Sequence, residues 1–75
     1  MKPAKAKNLR PEMWIAINFG TAIRALKIYE VNPIKYDDGA QFVKIMAHDD
    51  NDAKLCVAVA APDAVFFASD EGPED

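Results

Sequence analysis

The sequence predicts a mainly β protein, a small five-stranded barrel or curled antiparallel sheet. Three observations carry that expectation. Apolar residues alternate at period two over Met13 to Phe19, turn signals recur at short intervals, and β-branched and aromatic residues fill the segments between them. A chain of 75 residues with 51% hydrophobic side chains has room for one core and is globular rather than disordered.

The first predicted strand carries Met13, Ile15, Ile17 and Phe19 on one face and Trp14, Ala16 and Asn18 on the other. Gly20 and Thr21 break it as a turn. Residues 21–31 admit two descriptions. Thr21 can cap a short helix in which Ala22, Ile23, Leu26 and Tyr29 share a side. Alternatively the segment is a bent strand, with Ile23 and Ala25 on one face and Leu26 and Ile28 taking it over after a one-residue slip, as at a β-bulge. We favour the strand, because every other element is one. Asn32-Pro33 and Asp37-Asp38-Gly39 then delimit a loop. Residues 42–48 and 54–61 form a hairpin about the polar turn at 49–52. Ala64 to Ala68 make a short last strand after Pro62-Asp63.

Within 54–61, Leu55, Val57 and Val59 alternate with the small Cys56, Ala58 and Ala60. Both faces are apolar, so the strand is expected to be central or to lie at an interface.

At this point the chain resembles a family. The opening LRPEMWIAI is similar to the Leu-Arg-Pro-Gly-Met-apolar opening of small SH3-like barrels, and APDAVFF is similar to the turn and short last strand of that fold. The resemblance covers residues 9–68, and Glu12 stands where those sequences favour Gly. It implies an SH3-like barrel, a fold whose members bind proteins, RNA or DNA, and it implies no particular function.

Charge divides the chain. Residues 1–10 hold Lys2, Lys5, Lys7 and Arg10 and no acid, leaving five basic against twelve acidic groups elsewhere, a net of −7. Residues 1–10 are thus expected to be a flexible basic arm, 11–68 a single small β domain, and 69–75 an acidic disordered tail. The longest apolar run, Leu55 to Ala61, is seven residues, far short of the roughly 18 to 20 of a membrane-spanning helix. No apolar stretch of signal-peptide length follows the basic start, and the single cysteine agrees with a reducing compartment. We therefore expect a cytoplasmic protein with no membrane partner.

Residue types argue against catalysis. The hydroxyls outside tyrosine are Thr21 and Ser69, neither in a nucleophile-elbow context. His48 and Cys56 are the one base and nucleophile pair, and Cys56 is expected to be a buried small hydrophobe whose thiolate is disfavoured. For metals, Asp49, Asp50, Asn51 and Asp52 cluster oxygens. A calcium loop starting at Asp50 would need Gly and Glu where Leu55 and Ala61 stand. One Cys and one His cannot complete a structural zinc site, and no Gly-rich phosphate loop occurs. No catalytic residue, cofactor or metal is expected.

What remains is surface. Trp14, Tyr29 and Tyr36 are amphipathic anchors, and Cys56, Ala58 and Ala60 offer a small-residue side for close approach of another chain. These six residues are the candidate contacts of a non-enzymatic protein-interaction module that self-associates as a homodimer or docks on a larger protein. An alternative is a nucleic-acid accessory protein using Lys2, Lys5, Lys7 and Arg10 on phosphates, its case stronger if Arg24, Lys27, Lys35 and Lys44 share one face. A further variant is an acidic surface that imitates nucleic acid to occupy a DNA-binding protein.

Overall fold

A computed structural model describes residues 1–49 and 51–70. The fold is one antiparallel six-stranded sheet that does not close on itself, with no α-helix among the described residues. Its strands are β1 (Lys2–Lys5), β2 (Trp14–Asn18), β3 (Ile23–Lys35), β4 (Gln41–His48), β5 (Lys54–Ala60) and β6 (Val65–Ser69), in spatial order β1-β6-β2-β3-β4-β5.

Alternation decides which face is dry. Ile15 pairs with Leu26 on β3 and Ala68 on β6, and all three are buried. Ile28, Val43, Ile45 and Ala47 extend that inner face across β3 and β4. Ile15, Leu26, Ile28 and Ile45 are the largest fully buried side chains. Each stabilises the fold by about 1.5–3 kcal/mol through the apolar area it removes from water. Ile17 packs only partly against this core, and Phe19 projects beyond it.

From Ile23 the segment is strand, as favoured, but the one-residue slip in apolar spacing between Ala25 and Leu26 is not a bulge: those residues lie on opposite faces. The bulge lies between Ile28 and Glu30, with Tyr29 as the extra residue, not between Ala25 and Leu26. Up to Lys27 the pairing with β2 runs unbroken, so Leu26 faces the core and Ile23, paired with Asn18, faces out.

Several expectations are corrected. Residues 1–10 are not a flexible arm: Lys2–Lys5 form β1 against β6, giving six strands instead of five, and a 3-10 turn at Ala6–Asn8 follows. Ala6 and Leu9 are the reason, since both are buried in the core, and Ala6 N and Lys7 N donate to Ala64 O and Pro62 O. The loop placed from Asn32 begins later, because β3 continues through Pro33 to Lys35. Pro33 is tolerated there because β2 has already ended, which leaves β3 with β4 as its only partner strand over that stretch. At the other terminus Ser69 closes β6 and is buried, so the expected disordered tail starts no earlier than Asp70, and its remainder, 71–75, lies outside the described residues.

The turns follow their signals. Phe19 N donates to Ala22 O across Gly20, whose φ is +89°. The β3–β4 and β4–β5 hairpins close alike: Tyr36 N to Ala40 O and Gly39 N to Tyr36 O in one, Asp49 N to Ala53 O and Asp52 N to Asp49 O in the other. Gly39 (φ +89°) and Asp52 (φ +59°) occupy the matching left-handed position.

Candidate interaction surface

The sheet has an outer face that no element covers among the described residues. Register places Trp14 opposite Lys27, Ala16 opposite Ala25 and Asn18 opposite Ile23 on that face of β2 and β3. On β1 and β6 it places Pro3 opposite Phe67 and Lys5 opposite Val65. Because Trp14 also pairs with Ser69, Phe67 lies diagonally beside Trp14 on the same face. Ile23, Val65 and Phe67 are 73%, 61% and 57% exposed, and Trp14 is half-buried. An apolar strip thus runs from Pro3 and Val65 through Phe67 to Trp14, with Ile23 apart from it at the other end of β2 opposite Asn18. The alternation that singles out Trp14 also marks Val65 and Phe67, but only the sheet order shows that Phe67 adjoins Trp14.

Tyr29, set outward by the bulge, tilts against His48 with ring centroids 4.6 Å apart, and the Lys54 Nζ lies 5.4 Å from its ring centre. His48 Nδ1 is 3.4 Å from Asp52 O. Tyr36 is half exposed and meets Phe42 edge-on at 5.5 Å, away from the strip in the sheet order.

The expected small-residue side of β5 is divided. Met46 pairs with Cys56 and Ile45 with Ala58, so Val57 is an extra residue in a bulge. Parity flips across it: Cys56 is exposed on the outer face, while Ala58 and Ala60 pack against the core. Cys56 is therefore not the buried hydrophobe expected, and β5 is an edge strand instead of a central one. Cys56 and His48 share the outer face two residues apart, Cys56 opposite Met46 and His48 opposite Lys54.

The basic candidates are partly neutralised. Lys5 and Lys7 reach Asp63 at 3.7 and 3.3 Å, and Arg10 reaches Asp70 at 3.2 Å. Lys7, by hydrogen bond and charge, and then Lys5 by charge, hold the Asp63 carboxyl below its usual pKa. Register places Lys27 and Lys44 on the outer face, and Arg24 and Lys35 on the other. They do not gather on one face. Three groups of His, Cys, Asp or Glu do not come together as metal ligands anywhere among the described residues. Asp49 Oδ1 instead accepts from Asn51 N and Ala53 N, which fixes its turn.

A concavity of about 660 Å³ lies between the second half of β3, the start of β4 and residues 7–11. Its floor is apolar, from Leu9, Pro11, Val31 and Pro33, and Lys7 and Lys35 also line it. No helix of the described residues is long and apolar enough to cross a membrane. No family model, no curated protein and no solved structure matches this chain.

Proposed function

We propose that this chain is a small non-enzymatic protein-interaction module of the cytoplasm, which self-associates or docks on a larger protein. The observation that carries the reading is the apolar strip of Pro3, Val65, Phe67 and Trp14 on the open face of the sheet. Contiguous exposed apolar groups on a small soluble domain mark a contact surface, and a large aromatic beside them is the usual anchor. The finer architecture, an SH3-like barrel, belongs to the same proposal. It is supported by the curling β2–β5 meander with β6 returning beside β2.

The nucleic-acid reading is weaker. Three of its four terminal cations already face carboxylates, and the cations of β3 and β4 are split between faces. The mimic reading would need an array, whereas the described carboxylates are scattered, in separate turns at Glu12, Asp37-Asp38, Asp49 with Asp52, and Asp63, on β3 at Glu30, and after β6 at Asp70.

A photo-crosslinking residue in place of Phe67, with the same residue in place of Asp38 as control, tests the proposal. Discrete protein adducts from position 67 and none from 38 are expected; equal scatter from both removes it. Salt-sensitive binding to DNA that vanishes when Lys2, Lys5, Lys7 and Arg10 are replaced by Gln would transfer the proposal to nucleic acid.

A further inference from the structure

We infer that the free edge of β5 pairs with the β5 of a second copy of this chain, antiparallel and about a two-fold axis between Val57 and Ala58. This deepens the self-association branch of the function proposed above.

β5 is the last strand in the order, with β4 on one side and, among the described residues, no strand on the other. It runs from Lys54 to Ala60 without a proline and with one charge, at its first residue. Asp49 and Ala53 form a hydrogen-bonded rung, so alternation turns the N–H and C=O groups of Lys54 and Cys56 away from β4. After the bulge, Val59 is the residue whose groups face outward. A free edge of this kind is a template for pairing.

The bulge selects the register. Lys54, Cys56 and Val59 point to the outer face, whereas Ala58 and Ala60 point to the core. In a regular strand a two-fold pairing must centre on a residue; here side-chain faces match when Cys56 lies opposite Val59 of the copy and Leu55 opposite Ala60. Val57 and Ala58 then face Ala58 and Val57. The two outward-facing groups, at Cys56 and Val59, form the hydrogen-bonded pair, and the two bulges face each other.

Charge favours a copy of the same chain as occupant. The antiparallel arrangement puts each Lys54 at an outer end. It also carries the acidic turn of Asp49 and Asp52 to the far end of the copy's β5. There Lys7 N bonds Pro62 O, and the Lys5 and Lys7 ammonium groups outnumber the Asp63 carboxylate. The complementarity occurs twice by symmetry. A parallel pairing would set the acidic turns against each other. Strand pairing alone falls at the small end of interface size, below about 1,200 Å², so the dimer is concentration-dependent.

The test is sedimentation of the full chain over a concentration series, with two substitutions at Val59, which is exposed and whose N–H does not serve β4. Val59→Lys puts a second ammonium diagonally opposite Lys54 of the copy and is expected to raise the dimer dissociation constant about tenfold or more with the circular dichroism unchanged. Val59→Cys, oxidised with diamide, which takes up the two protons and two electrons released by each thiol pair, is expected to trap a covalent dimer through Cys56 and the new thiol of the opposite chain. Val65→Cys is expected to trap none. A monomer at every concentration overturns the inference. So does a dimer indifferent to Val59→Lys in which Val59→Cys cross-links no faster than Val65→Cys. If that second dimer is split by Phe67→Glu, self-association stands with the outer strip as its site, and only the edge pairing fails.

Discussion

The two edges of this sheet end in different chemistry. β1 closes one side with Lys2, Pro3 and Lys5 in a four-residue strand. Lys2 and Lys5 would bring four ammonium groups into any antiparallel pairing of two copies, and Pro3 offers no N–H. β5 closes the other side with Leu55 to Ala60, a stretch with no charge and no proline. The Val57 bulge is its one irregularity, and it is an irregularity that a second copy can match. The contrast teaches that a chain this small can guard one edge against pairing and leave the other available. It does so by spending its basic residues on the side where Asp63 and Asp70 hold them.

The largest effect should come from breaking the guarded edge. Deleting residues 1–5 removes β1 and exposes β6 from Val65 to Ala68 as a second free edge. The expected cost is at least about 2 kcal/mol, a fall in Tm of roughly 10 °C. Scattering should also rise with concentration, because Phe66 loses Ala4 as its cross-strand neighbour. A truncated chain that melts like the full one would show that β1 is ornamental to the fold.

A smaller effect sharpens the comparison from the other side. The link from the guarded edge into β2 passes through Glu12, whose φ is +79°. Met13 N donates to Arg10 O at 3.2 Å, closing a turn with Pro11 second and Glu12 third. That is the sequence pattern of a type II turn, whose third residue is ordinarily Gly. Glu12→Gly relieves the left-handed strain and loses the exposed 2.9 Å pair with Lys27. The net gain should be about 1 kcal/mol in a denaturant titration. Unchanged or lowered stability would mean that the ion pair outweighs the strain.

Much of this fold can be read from the chain, and Glu12 illustrates both how and where reading stops. Its place between Pro11 and Met13 marks a turn, and the turn exists with the conformation that a glycine would favour. The period-two alternation around Ile15 identifies the inner face because one buried face dictates parity, whereas the apolar slip before Leu26 marks a change of face and not a bulge. The position of a bulge is less legible: Tyr29 and Val57 are displaced by pairing with β4, and nothing local distinguishes them. For the same reason Cys56, Ala58 and Ala60 look like one face and belong to two. β1 is hidden in the sequence because its lysines read as a solvated terminus, while the residue that anchors the segment, Ala6, is too small to register as core. The outer strip was half legible. Trp14 was conspicuous alone, whereas its adjacency to Phe67 depends on β6 returning beside β2, a contact fifty-odd residues distant in sequence that no local pattern encodes.

Replacing Pro3 with Val tests whether the guard lies in backbone chemistry. Stability should change by no more than about 0.5 kcal/mol, because Pro3 is exposed at the edge. Sedimentation should then show association beyond that of the unaltered chain, with Val59→Lys unable to suppress it. If the variant associates no more than its parent, Lys2 and Lys5 suffice to keep copies apart.

The smallest effect concerns how those lysines are held. Asp63 is fully exposed, and its carboxyl is kept below the ordinary value of 3.8 by the hydrogen bond and charge of Lys7 and the charge of Lys5. A carboxyl whose pKa is lower in the folded than in the unfolded chain adds stability above its unfolded pKa. That contribution is lost as pH falls through the folded one. Urea titrations of the parent and of Asp63→Asn should therefore differ by a constant, small amount from neutral pH down to roughly pH 5, then converge below roughly pH 4. Raising the salt concentration should shrink the difference at neutral pH, since the pairs are open to solvent. The guarded edge would then loosen in acid. A difference between the two proteins that grows toward low pH has the wrong sign for this clamp and would assign the hold on β1 to Ala6 and Leu9 alone.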